Sequence, residues 1–202
     1  MIGADVNLRN AVRWWPLIGL SAMVALGLVV GRGSTSIDDW FTDLGHAHHV
    51  LGRLLFFTDP RVLVGLLAVG VVVVLYQRRW RLAAAVVLTP PIAIAAARLA
   101  KRLFGRLHDG ALAYPSGHST AMVVVVGVVV MVVGVNAWTV VVATVYCLFG
   151  LVGQGVTYHY FTDTIGALLL GTALLCLAAS MADLTGVNPR ATHVTATVSM
   201  GP

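Results

Sequence analysis

The chain has 202 residues, of which 58% are hydrophobic and 10% are charged, and its mean hydropathy is +0.89. This composition excludes a soluble globular domain and indicates an integral membrane protein. The formal charge of +5 includes no basic run interleaved with aromatic residues. The basic balance therefore favours membrane lipid or an anionic substrate as partner, and not nucleic acid.

The apolar segments predict an all-α, polytopic membrane protein. A bilayer core of about 30 Å requires about 20 helical residues per crossing. Residues 119–158 contain no Asp, Glu, Lys, Arg or His. One helix of that length would reach about 60 Å, twice the bilayer, so the run should fold back at "GVNAW" (134–138). The six predicted transmembrane helices are 14–31, 60–77, 82–102, 118–135, 138–157 and 164–182.

The more polar segment between the first two spans, residues 32–59, alternates charged and apolar residues at helical spacing. This pattern predicts an interfacial helix along the membrane surface, anchored by aromatic residues such as Trp40 and Phe57. Residues 1–183 should form a single six-span domain, and residues 184–202 a flexible tail. The sequence leaves the oligomeric state open.

With six spans, the loops after the first, third and fifth spans share one face of the membrane. These loops, residues 32–59, 103–118 and 157–163, contain six of the seven histidines of the chain. The positive-inside rule favours a cytoplasmic location for Arg9, Arg13 and "QRRWR" (77–81). We therefore expect the histidine-bearing loops on the extracytoplasmic face of the plasma membrane.

Two residues near the last span, His159 and Asp163, are four positions apart in "HYFTD". On a helix they share one face, where the carboxylate can accept a hydrogen bond from one ring nitrogen and leave the other as a nucleophile or base. Taken alone, the pair is more typical of an interfacial histidine with a helix-capping aspartate.

The tetrapeptide "PSGH" (115–118) precedes the fourth span. Ser116 and Gly117 at a helix N-terminus can bind an anion, and His118 would lie beside it as a proton donor. Lys101 at the end of the third span adds a cation, although a lysine there also snorkels commonly to the interface. Together with His159 and Asp163, these residues describe phosphoryl transfer through a phosphohistidine, with no metal or other cofactor required.

The segments "KRLFGRLH" (101–108), "PSGH" (115–118) and "HYFTD" (159–163) resemble the three signature motifs of the type 2 phosphatidic acid phosphatase superfamily. The resemblance extends over the third to sixth spans, about half of the chain. It implies a membrane-embedded lipid phosphate phosphatase in which His159 attacks phosphorus, Asp163 orients it and His118 protonates the leaving group. It also implies that the phosphoryl oxygens are bound by Lys101, Ser116 and Gly117.

The chain departs from the family pattern at two arginines. The first motif normally has Arg-Pro where this chain has His108 and Asp109, and the third normally has Ser-Arg where it has Val152 and Gly153. Loss of one charged transition-state donor typically costs about 10² to 10³ in rate. We expect His108 and Arg106 to replace the first arginine in substrate binding, with Gln154 as a further neutral donor.

The sequence leaves three functions open. The first is hydrolysis of a membrane lipid phosphate or diphosphate, such as a polyprenyl phosphate, phosphatidic acid or phosphatidylglycerol phosphate. The second is transfer of the phosphoryl group to another hydroxyl, and the third is lipid phosphate binding by a catalytically weakened relative. The histidines of "GHAHH" (45–49) have no matched carboxylate or thiolate, so we predict no metal site there.

Overall fold

The structure, a computed structural model, describes residues 2–182, and the predicted tail at 184–202 lies outside the described residues. The described chain is almost entirely helical, which confirms the all-α class. The helices are α1 (Ile2–Val30), α2 (Ser36–Ala47), a 3₁₀-helix (His49–Thr58), α3 (Pro60–Tyr76), α4 (Trp80–Phe104), α5 (Gly117–Val133), α6 (Ala137–Gly155) and α7 (Phe161–Met181). A two-stranded hairpin, β1 (Leu107–His108) and β2 (Ala111–Leu112), connects α4 to α5.

Five of the helical segments in the described chain are long and apolar enough to cross a membrane. They are Val12–Val30, His49–Tyr76, Trp80–Phe104, Ala137–Gly155 and Phe161–Met181. The sixth predicted span corresponds to α5, which is apolar but has only 17 residues. At about 1.5 Å per residue α5 reaches about 25 Å, slightly less than a bilayer core. The length criterion thus supports an integral membrane protein with five candidate spans, and the six-span count remains a prediction.

The break predicted at residues 134–138 has local causes in the structure. α5 ends at Gly134, whose φ of 108° is a conformation that side chains disfavour. Asn136 then caps α6, because its side chain accepts from the Thr139 N–H and the Thr139 hydroxyl accepts from the Asn136 N–H.

The segment predicted as an interfacial helix contains two helices. Thr35 and Asp38 form a capping box that starts α2. The 3₁₀-helix that follows leads into α3 through Asp59, which caps α3, and Pro60, which occupies its first position. Its location at a membrane surface remains a prediction.

The bundle is centred on α5, which packs against α3, α4, α6 and α7. Close packing, more than burial of apolar area, holds helices together in a bilayer, and small residues allow it. Gly166 on α7 is such a residue, since a Cβ there would lie 2.4 Å from the ring of Tyr114. Tyr114 is fully buried and donates its hydroxyl proton to the Met23 carbonyl of α1. This packing fixes the segment that leads into "PSGH" against both α1 and α7.

Candidate active site

The chain turns back at the hairpin between α4 and α5, so that β2 lies close to the end of α4. α4 ends at Gly105 in the left-handed conformation (φ 63°), and the hairpin turns at Asp109 and Gly110, which also have positive φ. Asp-Gly is a sequence that favours such two-residue turns. The Nζ of Lys101 donates to the Leu112 carbonyl across this connection, at 2.8 Å.

The "PSGH" segment forms the N-terminus of α5. Ser116 is the N-cap: its Oγ accepts from the Ser119 N–H at 3.4 Å, and the side chain has no exposed surface. Its own N–H donates to the Asp163 carbonyl at 3.0 Å, which joins the start of α5 to the start of α7. Ser116 therefore has a local structural role, whereas Gly117 and His118 face the cavity that lies between α3, α4 and α5, the main cavity of the protein.

His159 lies two residues before α7, and Asp163 lies in its first turn. Asp163 Oδ2 is 3.6 Å from His159 Nδ1, which is longer than a hydrogen bond. Both atoms are buried and lack a hydrogen-bond partner among the described residues. The imidazole is 11% exposed and lines the main cavity. Since Nδ1 is turned to the carboxylate, Nε2 is the nitrogen left for chemistry.

Arg106 occupies a different position from the one expected of a substrate-binding residue. Its side chain has no exposed surface and lines neither the main cavity nor the smaller cavity beside it. Nη1 donates to Asp163 Oδ1 at 2.8 Å, and Nη2 donates to Asp38 Oδ2 at 2.7 Å. The guanidinium also packs 4.4 Å from the centre of the Tyr160 ring. Direct contact of Arg106 with substrate stays a prediction, and the structure places the residue behind Asp163.

Asp38 completes this buried network and was not anticipated from the sequence. Its Oδ1 accepts from the backbone N–H of Thr162 at 2.8 Å and from the Thr162 hydroxyl at 2.9 Å. Burial by itself raises the pKa of Asp38, but hydrogen bonds from Thr162, Thr35 and Arg106 outweigh burial and hold the pKa below its ordinary value of 3.8. Asp38 is therefore a buried carboxylate that the fold stabilises in its charged form.

The main cavity, of about 690 Å³, lies between α3, α4 and α5. Polar groups line one end, where Lys101 and His159 are close enough to His118 to interact with it electrostatically. The remaining wall is apolar and includes Pro60, Leu63, Val64, Leu67, Pro90, Ile94, Ala121 and Val125. Such a combination of an apolar wall with a few convergent polar groups is typical of a ligand-binding site.

A smaller polar cavity of about 330 Å³ adjoins the main one, and His108 and His159 line both. Two histidines of "GHAHH", His46 and His49, also line the smaller cavity. Among the described residues, no group of three His, Cys, Asp or Glu side chains is arranged to hold a metal ion.

The structure gives a physical reason for the absence of an arginine at position 153, one of the two positions where the chain departs from the motifs that it resembles. A Cβ at Gly153 would lie 2.7 Å from the backbone carbon of Leu54, because the 3₁₀-helix approaches α6 closely there. An arginine therefore does not fit at this position. Gln154 is buried beside it and donates one amide proton through Nε2 to the Thr58 hydroxyl at 2.8 Å; its role as a neutral donor to substrate stays a prediction. His108, in contrast, borders both cavities and has space around it.

The predicted site residues thus divide into two groups. The structure brings Lys101, His108, Gly117, His118 and His159 together along the main cavity. Asp163, Arg106 and Ser116 lie behind this lining, with fully buried side chains.

Arg98, which was not anticipated from the sequence, also lines the cavity, three residues before Lys101. That spacing on one helix face was the available signal. No family model, characterised protein or solved structure matches the chain.

Proposed function

We propose that the protein is an integral-membrane lipid phosphate phosphatase that acts through a phosphohistidine on His159. The observation that carries this proposal is the main cavity, which combines Lys101, His118 and His159 at one end with an apolar wall along α3, α4 and α5. Cationic and imidazole groups suit a phosphate, and the apolar wall suits a hydrocarbon tail.

In the first step, the lone pair of His159 Nε2 attacks phosphorus, and the bond from phosphorus to the lipid oxygen breaks. His118 donates a proton to the departing oxygen, which leaves as a lipid alcohol, or as a lipid monophosphate when the substrate is a diphosphate. Lys101 and the backbone N–H groups at the start of α5 stabilise the phosphoryl oxygens. Asp163, next to Nδ1, stabilises the positive charge that develops on the imidazole.

In the second step, water attacks the phosphohistidine while His118, now neutral, takes a proton from it. The bond from phosphorus to nitrogen breaks, and its electron pair returns to Nε2. The net reaction consumes one water and releases phosphate and the dephosphorylated lipid. If a lipid or sugar hydroxyl replaced water in this step, the same intermediate would support phosphotransfer.

The substrate class is a membrane lipid with a terminal phosphate or diphosphate, such as a polyprenyl phosphate, phosphatidic acid or phosphatidylglycerol phosphate. A bundle of six spans, with α5 as the short one, would bring the polar end of the cavity to the extracytoplasmic headgroup region. The three loops that contain Asp38, His118 and His159 would then lie together on that side of the membrane.

The test is phosphate release from a panel of these lipid phosphates by purified wild-type protein and by His159→Ala. We expect release by the wild type and at least about a 10³-fold loss in His159→Ala, since removal of a nucleophile leaves only the contribution of binding and electrostatics. His48→Ala is the matched control, because His48 is exposed and lines neither cavity. Equal release by wild type and His159→Ala would contradict the proposal.

A second candidate function is binding of lipid phosphates without turnover. It is favoured by one observation, the 3.6 Å separation of His159 and Asp163 without a hydrogen bond. A binder would retain lipid phosphate without releasing phosphate, and His159→Ala would leave this retention unchanged. Phosphate release that depends on an added hydroxyl acceptor would instead indicate a transferase.

A further inference from the structure

All five N–H groups of the Arg106 guanidinium have protein oxygens as hydrogen-bond acceptors. Nε and Nη2 donate to the Gly33 carbonyl at 3.1 and 2.7 Å, and Nη1 donates to the Thr162 hydroxyl at 2.6 Å. The remaining bonds go to the carboxylates of Asp38 and Asp163. A guanidinium whose donors are used in this way has none left for a phosphate.

On the basis of the proposed function, we propose that Arg106 and Asp38 are positioning residues for the nucleophile His159, acting through Asp163. The carboxylate of Asp163 divides its two oxygens between two partners. Oδ1 accepts from Arg106 at 2.8 Å, and Oδ2 faces His159 Nδ1 at 3.6 Å. Arg106 therefore fixes the rotation of the carboxylate and, with it, the direction in which Oδ2 meets the imidazole.

Asp38 sets the net charge of the buried group that it forms with Arg106 and Asp163. A guanidinium between Asp38 and Asp163 leaves one net negative charge in this buried group. Without Asp38, the positive charge of Arg106 would neutralise Asp163 and reduce its attraction for a positively charged imidazole. Asp38 also accepts from the Thr162 N–H, which holds the backbone next to Asp163.

Stability by itself is a poor explanation for this network. A buried ion pair is often no more stabilising than apolar residues of the same volume, because both charges lose their hydration. The network joins three segments that are far apart in sequence: Arg106 is 68 residues from Asp38 and 57 from Asp163. Through Asp163 the network reaches His159, which lines the main cavity, whereas Arg106 and Asp38 do not line it.

The test compares Arg106→Gln, Arg106→Lys and Asp38→Asn with wild type in lipid phosphate release, melting temperature and the ¹⁵N chemical shifts of His159. A positioning role predicts that kcat falls about 10²-fold in Arg106→Gln, as for a misplacement of about 1 Å, while KM stays within about twofold. Arg106→Lys should recover part of kcat because it keeps the charge. Asp38→Asn should lower kcat and shift the His159 signals. The matched control is Arg102→Gln, because Arg102 is exposed and outside both cavities.

Several results would overturn the inference. One is an unchanged kcat with unchanged His159 signals in correctly folded variants, and another is a rise in KM alone, which would indicate that Arg106 binds substrate directly. If Arg106→Gln does not fold, Asp38→Asn and Arg106→Lys decide the question by the same readouts. Absence of release by wild-type protein would instead remove the proposed function, and the inference with it.

Discussion

His159 Nδ1 and Asp163 Oδ2 face each other at 3.6 Å, and neither atom has another hydrogen-bond partner in the described part of the chain. Catalytic hydrogen bonds are often long in the absence of substrate and shorten in the complex. The geometry therefore suits a pair that tightens when the imidazole gains positive charge. The other oxygen of Asp163 is already held by Arg106, so only a small movement of the ring is needed.

Replacement of Lys101 by methionine should impair substrate phosphate binding. The ammonium lines the polar end of the main cavity and donates only to the Leu112 carbonyl among the hydrogen bonds of the described residues. A hydrogen bond to a charged group contributes about 1.5–3 kcal/mol, so kcat/KM should fall about 10- to 100-fold. Steady-state phosphate release measures this effect. Arg102→Met is the control, and an equal loss in both variants would indicate a non-specific effect of charge.

His108→Arg and Gly153→Arg should have opposite effects, although each introduces an arginine where the phosphatase motifs that the sequence resembles have one. Arginine at 108 can reach a bound phosphate because both cavities border this position, and release should rise about tenfold. Arginine at 153 would meet the backbone of Leu54, and such overpacking costs about 1–3 kcal/mol or more in stability. Phosphate release and melting temperature separate the two outcomes. Higher activity in Gly153→Arg would show that the 3₁₀-helix does not block this position.

Ile94→Trp should narrow the apolar part of the main cavity. Ile94 lines it, whereas Ile92 on the same helix is exposed and outside it, which makes Ile92→Trp a matched control. We expect about a tenfold lower kcat/KM for long-chain lipid phosphates in Ile94→Trp, with little change for a short-chain phosphate ester, because only the long chain needs the apolar wall. An equal loss for both chain lengths would mean that the tail binds elsewhere.

Asp38 should make the fold sensitive to acid. Because its pKa is depressed in the folded protein, Asp38 contributes stability above its ordinary value of 3.8 and loses that contribution as the pH falls through and below this value. At neutral pH, Asp38→Asn should be less stable by about 1.5–3 kcal/mol, the usual contribution of a hydrogen bond to a charged group, because Arg106 still has Asp163 as a charged partner. Melting curves in detergent between pH 7 and pH 3 should show this difference shrinking in acid. A difference that stays constant with pH would contradict a charged Asp38.

Much of the fold was predictable because local patterns set it. Each predicted span overlaps one α-helix, and the break between α5 and α6 falls at Gly134 to Asn136, inside the predicted 134–138. The i to i+4 spacing of His159 and Asp163 predicted that they share one helix face. The structure places His159 two residues before α7, with its Nδ1 3.6 Å from Asp163 Oδ2. The six-span count stays a prediction, since α5 has 17 residues and is shorter than the five candidate spans.

The partners of the polar residues depended on tertiary structure, because they come from distant parts of the chain. By itself, the sequence determined a membrane-embedded helical protein, and it predicted that Lys101, His118, His159 and Asp163 form a site for phosphate chemistry. Only the tertiary structure assigned Ser116 to a helix cap, turned Arg106 toward Asp38 and Asp163, and left no room for an arginine at position 153. The physical reason is that hydropathy and helical period act over a few residues, whereas burial of a charge is decided by oxygens that folding brings to it from 57 and 68 residues away.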